Sequence, residues 1–117
     1  MIKGVGIDII EIDRVKKAVE KFGDAFVKRV FTDHEIDYCY RLNKYRVPEL
    51  AVRFAAKEAY SKAVGTGIGD IGWKHIEIIN DQKGKPQFKI RGILKNNAHV
   101  SLSHSRDYAV ASVYVEE

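Results

Sequence analysis

The chain is poor in the residues that hold small secreted or metal-stapled proteins together. Cys39 is its only cysteine in 117 residues, so no intrachain disulfide can form. That cysteine reads as a small buried hydrophobe rather than a reactive thiol. The four histidines, His34, His75, His99 and His104, are scattered and have no cysteine cluster beside them, which excludes a zinc module. No apolar run approaches the ~18 residues of a membrane span. The opening Met1-Ile2-Lys3-Gly4 lacks the order of a signal peptide, because Asp8 and Glu11 interrupt it at once. There is no repeat, linker or low-complexity segment. A cytoplasmic protein is the expectation.

The remaining composition is that of one soluble globular domain spanning residues 1–117. Hydrophobic residues make up 45%, more than a disordered chain carries, and charged residues 31%. The core this allows is adequate but not generous, so pairing with other copies is plausible. The net charge of +4 is concentrated. Arg14, Lys16, Lys17, Lys21, Lys28 and Arg29 face only Glu20 and Asp24, a local surplus of four that leaves the rest of the chain neutral. Such a surface is either a solvated helix face or a site for an acidic partner: nucleic acid, an anionic membrane or an acidic protein.

Periodicity predicts an α+β fold, one long helix and several shorter ones on a mostly antiparallel sheet. Val5–Ile12 reads as a strand, and Asp13 as the cap of a helix over Arg14–Phe22 that Gly23 ends. A short helix over Asp24–Val30 follows. Thr32 and Glu35 form a capping box that opens a helix to about Leu42. Lys44–Val47 reads as a loop, and Pro48 starts an alanine-rich helix, Glu49–Val64, closed by Gly65. After a glycine-rich loop, Lys74–Ile79 and Pro86–Ile90 read as strands joined by a hairpin connection, and Arg91–Asn97 as a helical turn. Val100–His104 and Tyr108–Val115 are the last two strands.

Four features suggest chemistry. Asp8 sits in Val5-Gly-Ile-Asp-Ile-Ile10, where an aspartate needs either water at a sheet edge or a cation to meet it. Phe54, Glu58 and Lys62 share one helix face at i, i+4, i+8, as a surface ion pair or as part of a site beside small alanines. Asp8 with Glu58 has the character of a Mg²⁺ site, which needs only one or two protein carboxylates when substrate phosphates and waters complete the shell. Gly65-Thr-Gly-Ile-Gly69 follows a helix, the wrong context for a dinucleotide fingerprint or P-loop, but its N–H groups could line a phosphate. Ser101-Leu-Ser-His-Ser105 alternates serines on one face with Leu102 and His104 on the other, without a nucleophile elbow. Hydroxyls and imidazole there could hold a nucleotide or simply face water.

In order along nearly the whole chain, these segments resemble the holo-[acyl-carrier-protein] synthases, the small single-domain class of 4′-phosphopantetheinyl transferases. The resemblance rests on Gly6-Ile-Asp-Ile-Ile-Glu-Ile-Asp-Arg14, Arg53-Phe-Ala-Ala-Lys-Glu-Ala-Tyr-Ser-Lys-Ala63, Gly65–Gly69, Gly84-Lys-Pro86 and Val100–Ser105. It implies transfer of the 4′-phosphopantetheine arm of coenzyme A to a serine of an acyl carrier protein, in fatty acid biosynthesis. It further implies a homotrimer with interfacial active sites, and Mg²⁺ held by Asp8 and Glu58 on the pyrophosphate. Lys62 would stabilise developing charge and Glu58 could serve as base. Arg53, Lys62, Gly65, Thr66, Ser103 and His104 would contact coenzyme A, and Lys44 and Arg46 its 3′-phosphate. Arg14, Lys21, Lys28 and Arg29 would meet an acidic carrier helix, although the segment carries lysines where the family pattern suggests arginines. The rival readings are a small basic nucleic-acid-binding module, which leaves Asp8, Glu58 and the glycine loop without purpose, and a catalytically silent scaffold, in which alanine at Asp8 or Glu58 would leave every measurable activity unchanged.

Overall fold

In chain order, strand β1 (Ile2–Glu11) runs directly into helix α1 (Ile12–Phe22), followed by α2 (Asp24–Val30) and α3 (Asp33–Cys39). A small hairpin, β2 (Tyr40–Arg41) and β3 (Lys44–Tyr45), leads into the long helix α4 (Val47–Val64). Helix α5 (Ile68–Ile71) and a 3₁₀ turn precede β4 (Ile76–Asn80), β5 (Pro86–Ile90), β6 (Ile93–Leu94), β7 (Ala98–His104) and β8 (Tyr108–Glu116). The computed structural model describes residues Met1–Glu117.

All strand pairings are antiparallel, in sheets ordered β1-β8-β7, β2-β3 and β4-β5-β6. The fold is therefore α+β, as expected. Helix α4 crosses one face of the main sheet, and two glycines let it come close. A Cβ on Gly4 or Gly6 would stand 1.9 Å from the carbonyl oxygen of Ala63 or Ala59. Any larger residue would push the strand off the helix. Ala109, Ala111, Val113 and Val115 of β8 fill the same interface, while Ile76, Ile78 and Phe88 close the core on the second sheet. The opposite face of β1 is uncovered: Val5, Ile7 and Ile9 are 55%, 61% and 65% exposed.

One ion pair is wholly enclosed. Lys57 of α4 meets Glu35 of α3 at 2.7 Å, both side chains fully buried. Lys57 also donates to the carbonyls of Val30 and Trp73, and Glu35 accepts from the backbone N–H groups of Thr32 and Ile78. Glu35 thus serves at once in the expected capping box with Thr32 and as the partner of a buried lysine. All three Lys57 donors and both Glu35 oxygens are engaged, the condition under which buried charges are tolerated. Burial, opposed by the charge of Glu35, lowers the pKa of Lys57.

The elements differ from the sequence reading at several ends. Asp13 is not the cap of α1: Ile12 N–H bonds to Asp107 O at 2.8 Å, the helix starts at Ile12, and Asp13 pairs with Lys17 inside the first turn. Helix α3 stops at Cys39 and α4 begins at Val47, because the segment between them folds as a hairpin rather than running on as helix and loop. Leu42 and Asn43 take φ of 52° and 63°, the two left-handed residues of a type I′ connection. The stretch after Arg91 is no helical turn: Arg91 and Gly92, at φ 50° and 83°, make a similar connection into β6. β4 starts at Ile76, since Lys74 and His75 lie in the 3₁₀ turn.

Candidate active site

Asp8, Glu58 and Lys62 come together on the β1 flank of α4. The close strand–helix approach at Gly4 and Gly6 carries Asp8, on the same strand face, up against the last turns of the helix. Lys62 Nζ donates to Asp8 Oδ1 at 2.9 Å and to Ile7 O at 3.0 Å. The lysine therefore pairs with Asp8 and not, as helical spacing alone suggests, with Glu58. Asp8 is not left in water at its edge strand; its side chain is 18% exposed. Partial burial, and after it the charge of Asp8, raises the pKa of Glu58; Lys62 and Arg14 pull the other way. Two carboxylates thus converge in a half-buried place whose nearest lysine is already engaged.

Arg53, Ser103 and His104 lie on the other flank. They line a cavity of ≈ 330 Å³ together with Glu49, Asn80, Gly84 and Pro86. Asp8 and Leu102 both pair with Ala111, so β7 runs two strand spacings, roughly 10 Å, from β1. Arg53 and Glu58 stand about 140° apart around α4. The helix therefore separates the two clusters within one chain. Arg53 is only 1% exposed; its Nη1 is held by Glu49 and its Nη2 by Asn80, and its Nε is buried without a partner. His104 Nε2 stands 3.8 Å from Glu49 Oε1.

His104 and Glu49 also border a neighbouring cavity, with Lys16, Lys44 and Arg46 on its wall. This places Lys44 and Arg46 beside the first cavity. Gly65 caps α4 in the expected left-handed conformation, φ 80°. Its N–H and that of Thr66 bond to Lys62 O and Ser61 O at 3.2 and 3.1 Å, so these two groups close the helix and are not free for a phosphate. Arg14, Lys21, Lys28 and Arg29 are all exposed on α1 and α2, with Arg14 near enough to lower the pKa of Glu58. The sequence reading missed Glu49, Tyr38 and Asn80. Glu49 had a visible signal four residues before Arg53 on one helix; Tyr38 and Asn80 reach the cavity only through the tertiary fold.

Fold and site together define a class. The chain belongs to the 4′-phosphopantetheinyl transferase superfamily, whose model matches residues 4–113. Within it, the chain is similar to the holo-[acyl-carrier-protein] synthases. The synthase of Chloroherpeton thalassium is 50% identical over 118 residues, covering 96% of each chain. A holo-(acyl-carrier-protein) synthase from Bacillus anthracis, solved in complex with CoA (3′,5′-ADP), is 44% identical with a TM-score of 0.86, covering 100% of this chain and 98% of that one. The Helicobacter pylori synthase in complex with coenzyme A is 31% identical with a TM-score of 0.82, covering 96% and 99%. No helix here is long and apolar enough to cross a membrane.

Proposed function

We infer that this chain transfers the 4′-phosphopantetheine moiety of coenzyme A to a serine of an apo acyl carrier protein, releasing adenosine 3′,5′-bisphosphate. The observation that carries the reading is the convergence of Asp8, Glu58 and Lys62 in a chain matched end to end by holo-[acyl-carrier-protein] synthases.

Asp8 and Glu58 fit a hard divalent cation. Both offer carboxylate oxygens, and the pKa of Glu58 is raised first by partial burial and then by the charge of Asp8, the surroundings in which a cation would be favoured. No third carboxylate or histidine joins them, and Mg²⁺ needs none when phosphates and waters complete its shell. Asp8 and Glu58 would hold it, and it would supply neutralisation of the charge on the pyrophosphate. The serine oxygen attacks the phosphorus next to pantetheine, and the bond to the bridging oxygen of the nucleotide breaks. Glu58 takes the serine proton on a carboxylate oxygen, a role that a raised pKa suits. Lys62 Nζ, held by Asp8 and Ile7 O, stabilises the charge that grows on the transferred group. Positioning and charge, more than covalent work, carry such transfers.

In the same reading the cavity beside Ser103 and His104 takes the nucleotide end, and Lys44 and Arg46, on the wall of the neighbouring cavity, would be the partners of a 3′-phosphate. Arg53 serves as its wall, and Gly65 and Thr66 border the acidic side one turn beyond Lys62. The two clusters lie on opposite flanks of α4. One donor therefore bridges them most readily when a second copy sets its cavity against the first copy's acidic side. A homotrimer would complete the site this way, and the uncovered Val5, Ile7 and Ile9 are surface suited to such contact. The exposed Arg14, Lys21, Lys28 and Arg29 suit an acidic carrier helix and fast encounter with it. The setting is cytoplasmic fatty acid biosynthesis, where Cys39 stays reduced.

Intact-mass spectrometry of an apo carrier incubated with the chain, coenzyme A and Mg²⁺ tests the reading. A gain of one phosphopantetheine group, abolished by EDTA, is the expected result. No shift with several competent carriers would overturn it and return the basic face to a nucleic-acid role.

A further inference from the structure

Asn80, the last residue of β4, uses both halves of its amide on the protein. Its Oδ1 accepts from Arg53 Nη2 at 3.1 Å, and its Nδ2 donates to Gly84 O at 3.0 Å. Gly84 lies in the connection between β4 and β5, and a different residue sets that connection's internal shape. Asp81 Oδ1 accepts from the backbone N–H groups of Lys83 and Lys85, each at 2.9 Å, and Gly84 N–H bonds to Asp81 O at 2.9 Å. Asp81 therefore shapes the connection, while Asn80 ties it to α4.

The helix end of this tie is unusually firm. The guanidinium of Arg53 lies 4.3 Å over the ring of Tyr38, and Glu49 holds Nη1 through both a carboxylate oxygen and its carbonyl. With Nε already lacking a partner, Arg53 has a strong energetic reason to keep the acceptor that Asn80 supplies. Arg53, Glu49, Gly84, Pro86 and Ser103 all line the same cavity. The β4–β5 pairing and Asp81 shape this far wall, and the Asn80 amide ties it to Arg53 of α4.

We propose that Asn80 is a positioning residue for the donor: by linking Arg53 to Gly84 it holds the β4–β5 connection at the distance from α4 that the nucleotide end of coenzyme A requires. This rests on the function proposed above. It assigns Asn80 to donor affinity and leaves the chemical step to the other flank of the helix.

The test is steady-state kinetics on two variants, with thermal unfolding recorded alongside. Asn80→Ala removes both bonds. Asn80→Asp keeps an acceptor for Arg53 but has no donor for Gly84 and sets a carboxylate against its carbonyl. Both should raise the KM for coenzyme A about 5- to 20-fold, the cost of one or two hydrogen bonds, while kcat changes less than about 2-fold. Inhibition by adenosine 3′,5′-bisphosphate should weaken by the same factor, and the KM for the carrier should hold. Asn80→Asp should do this with an unchanged unfolding midpoint. Unchanged KM and inhibition in both variants, beside an active wild type, would overturn the proposal. So would a parallel fall in kcat and in affinity for both substrates with a lowered midpoint, the mark of a merely structural residue. A wild-type chain that binds no coenzyme A and modifies no carrier fails the functional reading itself, and this proposal falls with it.

Discussion

Lys57 and Lys62 stand five residues apart on α4, and each meets one carboxylate at under 3 Å. Their surroundings differ in every other respect. Lys57 and Glu35 have no exposed surface, and their remaining donors and acceptors are taken by the backbone of four other residues. Lys62 is 53% exposed, its partner Asp8 is 18% exposed, and a second carboxylate, Glu58, stands close enough for Asp8 to raise its pKa. The first pair is closed and electrically complete, so nothing further can bind it. The second is open, and a second, partly buried carboxylate stands beside it. A completed pair belongs to the fold, and an incomplete one invites a ligand.

The largest expected effect separates the pairs by stability. Lys57→Ala strands the buried Glu35 and should cost about 3–5 kcal/mol in chemical denaturation. A loss below about 1 kcal/mol would mean that Glu35 is satisfied without Lys57, and the contrast would collapse. Lys62→Ala should leave stability within about 1 kcal/mol, as for other exposed pairs. Its transfer rate should nevertheless fall about 10²-fold or more, as when one charge-stabilising donor is removed. A Lys62→Ala protein that keeps its rate would assign this lysine to the surface.

The smallest effect concerns pH. In the folded chain Glu58 titrates above 4.5, chiefly because it is partly buried. Between 4.5 and that raised value the folded state binds more protons than the unfolded one. The stability this group contributes is present at low pH and is lost as pH rises through the folded pKa. In EDTA, the unfolding midpoint of the wild type relative to Glu58→Gln should therefore fall as pH climbs through this window. A flat difference would show that Glu58 is not perturbed.

The open pair was legible in the sequence and the closed pair was not. Asp8 was out of place in a β-branched run, and Glu58 and Lys62 shared a helix face, so both signals were local. Local spacing still chose the wrong partner for Lys62, because the approach of β1 at Gly4 and Gly6 is a tertiary fact. Lys57 looked like any other lysine of an alanine-rich helix. Its partner lies 22 residues earlier, in a capping box that fully explained Glu35 without it. The long helix and the strands at both ends of the chain were readable from their periods. The hairpin over residues 40–45 was not, because Leu42 and Asn43 occupy left-handed turn positions that usually announce themselves with glycine. Asn80 and Tyr38 were silent for the same reason as Lys57: their partners sit on other elements.

The most direct test of this contrast is the rate of carrier modification by Glu58→Gln, followed by intact mass, with the unfolding midpoint measured on the same preparation. The account predicts a fall of about 10³-fold or more in rate with the midpoint unchanged or raised, because a poorly compensated carboxylate has been removed from a functional site. Wild-type rate, or loss of rate together with loss of the fold, would contradict it.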